Sequence, residues 1–454
     1  MEAVFFDQLN QLLNDNKLRE LRSTLIEMNS ADVAEFMTDL PENKLILVFR
    51  ILPKDLAADV FSYLETETQT SIVSSINDVE LGFLVEELYV DDAVDFLEEV
   101  PASVVKRVLQ SASPERRNII NRFLKYPENS AGSVMTIEMV EFHTRINVKQ
   151  ALKIIRENGV DKETIYTCYV IDDFRHLVGV IPLRRLLLAD EETKISDIIT
   201  DTEHIISVGT LDDQEVVADI ARKYDLLSVP VVDNENLLVG IVTIDDIVDI
   251  IEDEATEDFE KMALLSPSDE EYLKTGVFTL AKRRILWLMI LMVSATFTGK
   301  IIENYENMLA AFTMLTACIP MLMDTGGNAG NQTSTLIIRG LALGEIQIKD
   351  YFSVLFKEVR VALICGVALA AVNFGRMILL NGAASENFKM YLVVCAAMLC
   401  SVVAAKCIGC SLPMLAKMVH LDPALMAGPM ITTIVDALTL IIYFSLATTF
   451  LHIA

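Results

Sequence analysis

A single carboxylate stands in the most apolar stretch of the chain. Residues 423–450 contain no Lys or Arg, and Asp436 is the one acidic side chain within the run. The stretch is long enough to cross a bilayer, because about 20 apolar residues span ~30 Å of hydrocarbon. A carboxylate at that depth costs at least ~2.5–3.5 kcal/mol, so it normally faces a water-filled path or a partner. We therefore expect Asp436 to meet a cation that crosses the membrane. The alternative is hydrogen bonding to neighbouring Thr hydroxyls as a contact between helices.

A second polar segment lies within apolar sequence at residues 319–335, IPMLMDTGGNAGNQTST. We expect its Pro and three Gly residues to interrupt a membrane helix, while Asn328, Asn331 and Gln332 bring amides to membrane depth. Irregular backbone is tolerated there where it lines water or is buried in protein. The carbonyls and amides are suited to hold or replace the hydration shell of an ion. Close helix packing at the glycines is the alternative, although it leaves the amides unexplained. Asp324 is an additional candidate carboxylate without an assigned role.

Five membrane spans are predicted for the C-terminal part of the chain, at about 283–303, 309–340, 354–380, 388–412 and 424–450. Basic residues precede the first span and lie between the second and third, which is typical of cytoplasmic segments. We therefore expect a multi-pass protein of the cell inner (plasma) membrane, with its N-terminal half cytoplasmic and its C-terminus outside. Because five is an odd number, a symmetric pore requires two copies, and we expect a homodimer.

Charge divides the sequence into two unequal parts. Residues 277–454 hold nine Asp or Glu and twelve Lys or Arg, whereas residues 1–276 hold 56 acidic and 25 basic residues. The acidic part argues against nucleic acid as a partner, because phosphate backbones attract basic surfaces. It favours metal cations instead. Solubility alone explains a modest net charge but not this excess on one side.

Short amphipathic helices are predicted from residue 1 to about 130. Related segments recur at 30–41, 54–65 and 89–101, and each combines apolar residues at helical spacing with acids on the other face. Repetition of small helical units is typical of a superhelical array. In the third segment Asp91 and Asp95 share a helix face, where like charges repel unless a cation bridges them. A solvent-exposed face is the alternative.

An internal repeat with a period of 61 residues follows. YVIDD (169–173) aligns with PVVDN (230–234), and LVGVI (177–181) aligns with LVGIV (238–242). Each copy is predicted to run β-α-β-β-α, and the two together resemble a tandem CBS-domain pair, a regulatory module that often binds adenosine nucleotides. In such modules a Ser/Thr-x-x-Asp motif holds a ribose. Thr243 and Asp246 fit this pattern in the second copy, but the first copy has PLRR at 182–185. ATP is thus a candidate ligand, and a purely structural pair is the alternative.

One acidic helix is predicted over residues 244–265. Asp246, Asp249 and Asp253 are spaced i, i+3 and i+7, and Glu254, Glu257 and Asp258 are spaced i, i+3 and i+4. These spacings produce two rows of carboxylates along one rod. Mg²⁺ prefers such oxygen ligands and usually retains several waters. The position directly before the membrane part favours a cation-sensing connector, and a solvated linker helix is the alternative.

Three motifs together resemble the MgtE family of magnesium transporters: SAGSVMT (130–136), GGNAGNQ (326–332) and GPMITTIVD (428–436). The resemblance covers essentially the whole chain. It implies a multidomain membrane protein with an all-α superhelical N domain (1–130) and a tandem α/β CBS pair (131–253). An acidic connecting or plug helix (254–276) and a five-helix transmembrane domain (277–454) would follow. Members of that family are homodimeric, Mg²⁺-selective channels that cytosolic Mg²⁺ closes.

The resemblance also implies a role for particular residues. In the pore, Asp436 would contact hydrated Mg²⁺ at the entry, with Gly326, Gly327, Asn328 and Asn331 nearby. The expected Mg²⁺-sensing carboxylates are Asp91, Asp95, Asp213, Glu215, Asp225, Asp246, Asp249, Asp253, Glu254, Glu257 and Asp258.

We accordingly expect Mg²⁺ transport in magnesium homeostasis, gated by Mg²⁺ at acidic interfaces of the N domain, the CBS pair and the connecting helix. Two alternatives stay open: a CBS-regulated transporter of another divalent cation such as Co²⁺ or Mn²⁺, and a membrane-anchored nucleotide sensor. No catalytic constellation is evident, because the five His residues form no cluster with metal-ligand spacing. We therefore expect no enzyme activity.

Overall fold

The computed structural model describes residues 2–199, 205–267, 272–273, 275–382 and 388–451. Within these ranges the chain forms two compact units, Met1–Glu252 and Asp253–Ala454. The first unit holds a helical region followed by two α/β copies, and the second is helical. Each unit is described by itself below.

Ten short helices build the first part of unit one. Apolar residues at helical spacing form one buried face on each, and Pro, Asn or Ser residues precede many of them as N-caps. The helices are α1 (Glu2–Asn14), α2 (Leu18–Ile26), α3 (Ser30–Thr38), α4 (Glu42–Ile51), α5 (Lys54–Ser62), α6 (Thr66–Ser75), α7 (Asp78–Glu87), α8 (Val90–Glu99), α9 (Ala102–Ser111) and α10 (Pro114–Phe123).

These helices stack in an alternating order. Helix α5 packs between α3 and α7, and α7 packs on α9, while α4, α6, α8 and α10 form a second row. Such stacking buries an apolar core that no single helical pair could enclose. The sequence prediction of an all-α N domain built from stacked short helices is therefore confirmed.

The two α/β copies have the predicted β-α-β-β-α order. The first contains β1 (Val140–His143), α11 (Val148–Asn158), β2 (Thr167–Ile171), β3 (Leu177–Pro182) and α12 (Leu183–Leu188), with 3₁₀ turns at Gly159–Asp161 and Ile195–Asp197. The second contains β4 (Val208–Gly209), α13 (Gln214–Tyr224), β5 (Ser228–Val232), β6 (Leu238–Thr243) and α14 (Ile244–Met262). In both sheets the first strand is parallel to the second, and the second pairs antiparallel with the third.

An apolar cluster joins the two copies. It includes Tyr169 and Leu177 of the first copy and Leu238 and Ile241 of the second. The buried Tyr169 hydroxyl lies 2.6 Å from Ser228 Oγ, so its polar end is satisfied across the same contact. The second copy also shares one continuous core with the helical array. These contacts fix the relative positions of acidic residues on all three parts of unit one.

Helix α14 is a single rod. It starts directly after β6 and ends at Met262, close to the predicted range of 244–265. The rest of the predicted connecting segment 254–276 includes residues 268–271 and 274, which lie outside the described residues. The described part of that segment is therefore helical only as far as Met262.

Unit two is built from long helices. They are α15 (Val277–Asn304), α16 (Glu306–Ala311), α17 (Thr313–Ala342), α18 (Tyr351–Asn381), α19 (Phe388–Met418) and α20 (Gly428–Leu451), with 3₁₀ turns at Ile348–Asp350 and Pro423–Met426. Helix α17 packs against both α19 and α20, and α18 packs on α19. Helix α19, which also packs against α20, therefore lies at the centre of the unit, with α17 beside it.

Four segments of the described chain are long and apolar enough to cross a membrane: Val277–Asn304, Ile348–Leu380, Phe388–Met418 and Pro423–Leu451. Helix α17 is comparably long, but Asp324 and its amides make its middle more polar. The count of five spans thus stays a prediction. The expected interruption of this helix is wrong, since α17 runs continuously from Thr313 to Ala342 with Pro320 inside it. The three glycines are accommodated by neighbouring helices rather than by a break.

Candidate functional site

One face of α17 is polar and exposed in the single chain. Asp324, Asn328, Gln332 and Thr335 lie on it at spacings of i, i+4, i+8 and i+11. Two of the amides predicted from sequence, Asn328 and Gln332, therefore share this face with Asp324. The third, Asn331, lies at its border and accepts a hydrogen bond from the backbone N–H of Gly428 at 3.0 Å.

The glycines of α17 lie on the buried side, against α20. A Cβ atom at Gly326 would come within 2.8 Å of Thr439 Oγ1, and one at Gly327 within 2.9 Å of Thr432 Cγ2. Small residues of this kind let two helices approach closely, which was the alternative interpretation of the motif. Because α17 is continuous, backbone carbonyls in its interior accept bonds from its own N–H groups. A direct contact between ions and Gly326 or Gly327 stays a prediction.

Asp436 lies on α20 with one carboxylate oxygen buried. Its Oδ1 atom and the Thr439 hydroxyl have no hydrogen-bond partner among the described residues. The hydroxyls of Thr432 and Thr433 instead donate to the backbone carbonyls of Gly428 and Pro429. The proposed hydrogen bonds from neighbouring Thr side chains to Asp436 are therefore not formed. Gly326 of α17 packs against Val435 and Thr439 of α20, so Asp324, two residues before that glycine, lies at the level of the predicted pore residue.

A second candidate site lies within unit one, where acidic residues of three elements converge. We call this set the acidic junction: Asp91, Asp92 and Asp95 on α8, Glu163 in the loop before β2, and Asp245 and Asp246 at the start of α14. Asp91 and Asp246, predicted separately from sequence, are brought together here. Glu163 Oε2 is buried without a hydrogen-bond partner among the described residues. The junction thus concentrates the carboxyl groups of three elements.

Burial and mutual repulsion raise the pKa values of the junction. Burial first, and then the charges of Asp246 and Asp245, raise the pKa of Asp92 to about 7. Burial, followed by the charges of Asp245 and Asp92, raises the pKa of Glu163 to about 8. The pKa of Asp246 rises to about 6 for the same leading reason, although a hydrogen bond from Thr243 opposes the shift. The buried Asp91 carboxyl has its pKa raised well above the ordinary value.

A bound divalent cation would relieve this repulsion, because it neutralises charges that otherwise disfavour the ionised state. No group of three or more His, Cys, Asp or Glu side chains in the described ranges is arranged as a complete metal-ligand set. The junction is therefore a surface of concentrated charge, suited to a hydrated ion with few direct protein ligands.

The predicted sensor residues of α13 lie at opposite ends of that helix. Asp213 caps its N-terminus, where its side chain accepts a hydrogen bond from Glu215 N at 2.9 Å. Asp225 follows its C-terminus in the left-handed conformation, with φ of 52°. Eleven helical residues separate the two ends by about 16 Å, so Asp213 and Asp225 do not share one ion within a chain.

The far end of α14 carries a carboxylate cluster around a lysine. Lys261 Nζ lies 2.7 Å from Glu257 Oε1 and 2.8 Å from Asp422 Oδ2. Asp422 also caps the 3₁₀ turn that leads into α20. Burial, and then the charge of Asp422, raise the pKa of the neighbouring Asp258. At this cluster an ammonium group of the chain itself lies between two of the carboxylates.

The remaining acidic residues of α14 lie along its middle. Asp249 has a raised pKa because of burial and then the charges of Asp245 and Glu252. Asp253 and Glu254 follow on the next turn. Asp249, Asp253 and Glu254 therefore continue the acidic surface from the junction toward the lysine cluster along one helix.

The two residues of the nucleotide motif in the second copy are hydrogen-bonded to each other. Thr243 Oγ1 donates a 2.7 Å hydrogen bond to Asp246 Oδ2. The carboxylate that would hold a ribose thus already has an intramolecular partner and also belongs to the acidic junction. In the first copy the equivalent segment ends in Arg184 and Arg185 without an acid.

Sequence reasoning missed several members of these sites. Asp92 and Asp245 each adjoin a predicted residue in a DD pair, so the pairs themselves were a usable signal. Glu163, Lys261 and Asp422 carried no such signal. Each becomes significant only through a contact with an element distant in sequence.

Comparison with known proteins decides the family. The chain is 34% identical over 451 residues to the magnesium transporter MgtE of Thermus thermophilus, and the alignment covers 98% of each chain. The chain belongs to the MgtE family of magnesium transporters. Family models match along this MgtE-family chain: the MgtE intracellular N domain at 28–129, CBS domains at 131–192 and 195–253, and a divalent cation transporter domain at 319–446. The magnesium transporter MgtE of Bacillus subtilis is 32% identical, with 97% and 96% of the two chains covered.

Solved structures resemble the part of this MgtE-family member before the long helices. The soluble part of a magnesium transporter matches 56% of this chain and 100% of its own length, at 34% identity and a TM-score of 0.54. The cytosolic domain of the Mg²⁺ channel MgtE in complex with ATP matches 54% and 99%, at 34% identity and a TM-score of 0.51. The comparisons thus show that this chain is a membrane protein with a CBS pair and that its family consists of magnesium transporters.

Proposed function

We propose that this chain forms a Mg²⁺-selective channel that Mg²⁺ on the cytosolic side closes. The observation that carries the proposal is the exposed polar face of α17, with Asp324 and Asn328, beside the unpartnered oxygen of Asp436 on α20. Amides and carboxylates are not stable against lipid, so in a membrane this face borders water or a second copy of the chain. Oxygen ligands of this kind suit a hydrated divalent cation.

A homodimer fits this arrangement best. Two copies that face each other across the polar surfaces of α17 would enclose a path lined by two Asp436 and two Asp324 carboxylates. The topology that supports it has five spans including α17, with the N-terminal half in the cytoplasm and the C-terminus outside the plasma membrane. The basic residues before α15 and between α17 and α18 support this orientation.

Gating would arise at the acidic surfaces. When Mg²⁺ is scarce, the negative charges of the acidic junction repel one another, which favours separation of α8 from the CBS pair. When Mg²⁺ is abundant, ions neutralise these charges and favour the packed arrangement. A ligand shifts such an equilibrium only by its difference in affinity for the two states. Burial first, and then repulsion between carboxylates, raises the pKa values of Asp92 and Glu163, and the repulsion is the part that Mg²⁺ would relieve in the packed state.

ATP at the CBS pair is the second ligand that we propose. A solved MgtE cytosolic domain with ATP bound supports it. In the present chain, nucleotide binding at Asp246 would have to displace the hydrogen bond from Thr243. ATP and Mg²⁺ at the junction would therefore be coupled, because Asp246 belongs to both sites.

The test is reconstitution of the full chain in liposomes with a Mg²⁺-sensitive dye inside. We expect Mg²⁺ influx that falls steeply when the side bearing the acidic domains is raised to millimolar Mg²⁺. Absence of flux at any Mg²⁺ concentration would remove the channel proposal and leave a membrane-anchored nucleotide sensor. Flux of Co²⁺ or Mn²⁺ at the same rate as Mg²⁺ in competition would replace selectivity for Mg²⁺ with general divalent transport.

A further inference from the structure

Two charged side chains, one buried and one partly buried, lie among α17, α18 and α19, outside the sites described above. Lys406 on α19 is 6% exposed, and its Nζ lies 3.7 Å from Oε2 of Glu358 on α18. The side chain of Glu358 is 13% exposed. Lys406 is twelve residues from the end of α19, or about 18 Å along the helix. Charges at such a depth are expensive and are retained in membrane segments mainly where they serve a function.

A threonine of α17 connects the two charges. Thr333 is fully buried, accepts a 3.0 Å hydrogen bond from Lys406 Nζ and donates a 2.9 Å hydrogen bond to Glu358 Oε2. A hydroxyl has one donor and two acceptor positions, so this single group satisfies both partners at once. Through it, α17 is attached to both α18 and α19.

Thr333 points in a different direction from the exposed polar face of α17. At 100° per residue, Asp324, Thr335 and Asn328 point about 180°, 200° and 220° away from Thr333. The buried threonine and the exposed polar face are therefore on opposite sides of one helix. A rotation of α17 that broke the contacts of Thr333 would turn Asp324 and Asn328 by the same angle.

A second attachment on the flank of α17 limits translation as well. Ser334 Oγ donates a 3.0 Å hydrogen bond to the carbonyl of Met426, and Asn331 accepts one from Gly428 N. Both bonds hold the segment that precedes α20. Thr333 binds α18 and α19, while Ser334 and Asn331 bind the segment at the start of α20. These contacts together define the rotation of α17 about its axis relative to Asp436.

We propose that Lys406, Glu358 and Thr333 form a positioning triad that fixes the rotation of α17 and neutralises a buried ammonium behind the cation path. This inference rests on the proposed function, since the polar face of α17 is there taken as the path. Glu358 has two roles in it. Its carboxylate orients Thr333, and its negative charge cancels a positive charge that would otherwise oppose the approach of Mg²⁺.

The experiment is a double-mutant cycle on Mg²⁺ flux through the full chain in liposomes. We expect Glu358→Gln and Lys406→Met each to lower maximal flux at least roughly tenfold, because each leaves one charge buried and unpaired. The double variant E358Q/K406M leaves no buried charge and should return to within about threefold of wild type. Lys300→Met is the matched control, because its ion pair with Glu303 at 2.9 Å is exposed, and it should leave flux unchanged.

Thr333 supplies a second readout that a general loss of stability would not produce. Thr333→Val keeps the shape but removes the hydroxyl, and it should change the Mg²⁺ to Ca²⁺ flux ratio at unchanged protein yield. Thr333→Ser keeps the hydroxyl and should restore the wild-type ratio. An unchanged ratio in Thr333→Val, or single losses that E358Q/K406M fails to recover, would overturn the triad. These outcomes are scored only against a wild-type protein that conducts, since failure of the wild type overturns the proposed function instead.

Discussion

Lys261 Nζ lies 2.8 Å from Asp422 Oδ2, and this ion pair joins the end of α14 to the turn before α20. The side chains are only 23% and 31% exposed, so the pair is better shielded than an ordinary surface pair. Asp422 in turn caps the turn Pro423–Met426 through a hydrogen bond from Ala424 N. The acidic helix and the helix of Asp436 are therefore attached through one lysine.

Removal of Lys261 should weaken the closing of the proposed channel by Mg²⁺. In Lys261→Met the end of α14 loses its ionic attachment to Asp422, which is worth about 1 kcal/mol for a partly exposed pair. We expect the Mg²⁺ concentration for half-maximal closing to rise roughly fivefold in the liposome flux assay, as that energy implies. Lys149→Met, which removes an exposed pair with Glu191, is the control. Closing at the wild-type Mg²⁺ concentration in Lys261→Met would show that the pair does not contribute.

The acidic junction should make the Mg²⁺-free protein sensitive to pH. The folded-state pKa values are about 7 for Asp92, about 8 for Glu163 and about 6 for Asp246, all above the ordinary values for carboxyls. The packed state therefore binds protons as pH falls from about 8 to 6, and its stability increases over that window. Protease protection in a chelator should accordingly increase from pH 8 to pH 6, and Mg²⁺ should reduce this dependence.

The variant D92N/E163Q provides the control for the pH experiment. It removes two of the titrating groups, and its protection should vary less between pH 6 and pH 8 than that of the wild type does, although Asp95 and Asp246, whose wild-type pKa values are raised to about 7 and about 6, remain. Protection of the wild type that is flat across this range without Mg²⁺ would contradict the electrostatic account of the junction.

Substitutions of the two carboxylates in the proposed path should differ in how strongly they reduce Mg²⁺ uptake. Asp436 has a buried, unpartnered oxygen, whereas Asp324 is exposed on α17. We expect Asp436→Ala to abolish Mg²⁺ uptake in a strain that lacks other Mg²⁺ transporters. Asp324→Asn should reduce uptake several-fold, since it weakens attraction at the path without removing the main ligand. Growth of the Asp436→Ala strain at low Mg²⁺ would exclude that residue from the path.

Glycine positions in unit two should differ sharply in their tolerance of a methyl group. A Cβ at Gly409 would lie 2.3 Å from the backbone O of Gly330, whereas one at Gly375 meets nothing within 4 Å. We expect Gly409→Ala to destabilise the protein by about 1–3 kcal/mol through overpacking. Gly375→Ala, the matched control on α18, should not. Thermal unfolding in detergent measures both, and equal unfolding temperatures would mean that α17 and α19 separate at little cost.

The sequence was sufficient for features that depend on local pattern. The helical array, the 61-residue repeat and the range of α14 follow from spacing and alternation, and the structure agrees with each. Asp91 and Asp246 were each selected as acids on helix faces, but their proximity was not predicted. Such patterns record which side of an element is buried.

Features that depend on contacts between residues distant in sequence could not be predicted from the sequence. The GGNAGN segment suggested a broken helix, yet α17 is continuous because Gly326, Gly327 and Gly330 fit against α20 side chains. Glu163 and Lys261 were not selected from the sequence, because their importance depends on Asp92 and Asp422, which are distant in sequence. Lys406 and Glu358, 48 positions apart, form a pair only through the packing of α18 on α19.

Helix α14 is continuous from Ile244 to Met262, so the length of the helix determines the direction in which each of its side chains points. Each residue in an α-helix turns the chain by about 100°, so one inserted residue would rotate Lys261 away from the direction set by Asp246. Insertion of seven residues restores the direction to within about 20° and lengthens the rod by about 10 Å. The directions of Asp246 and Lys261 about the axis of α14 therefore depend on the number of residues between them.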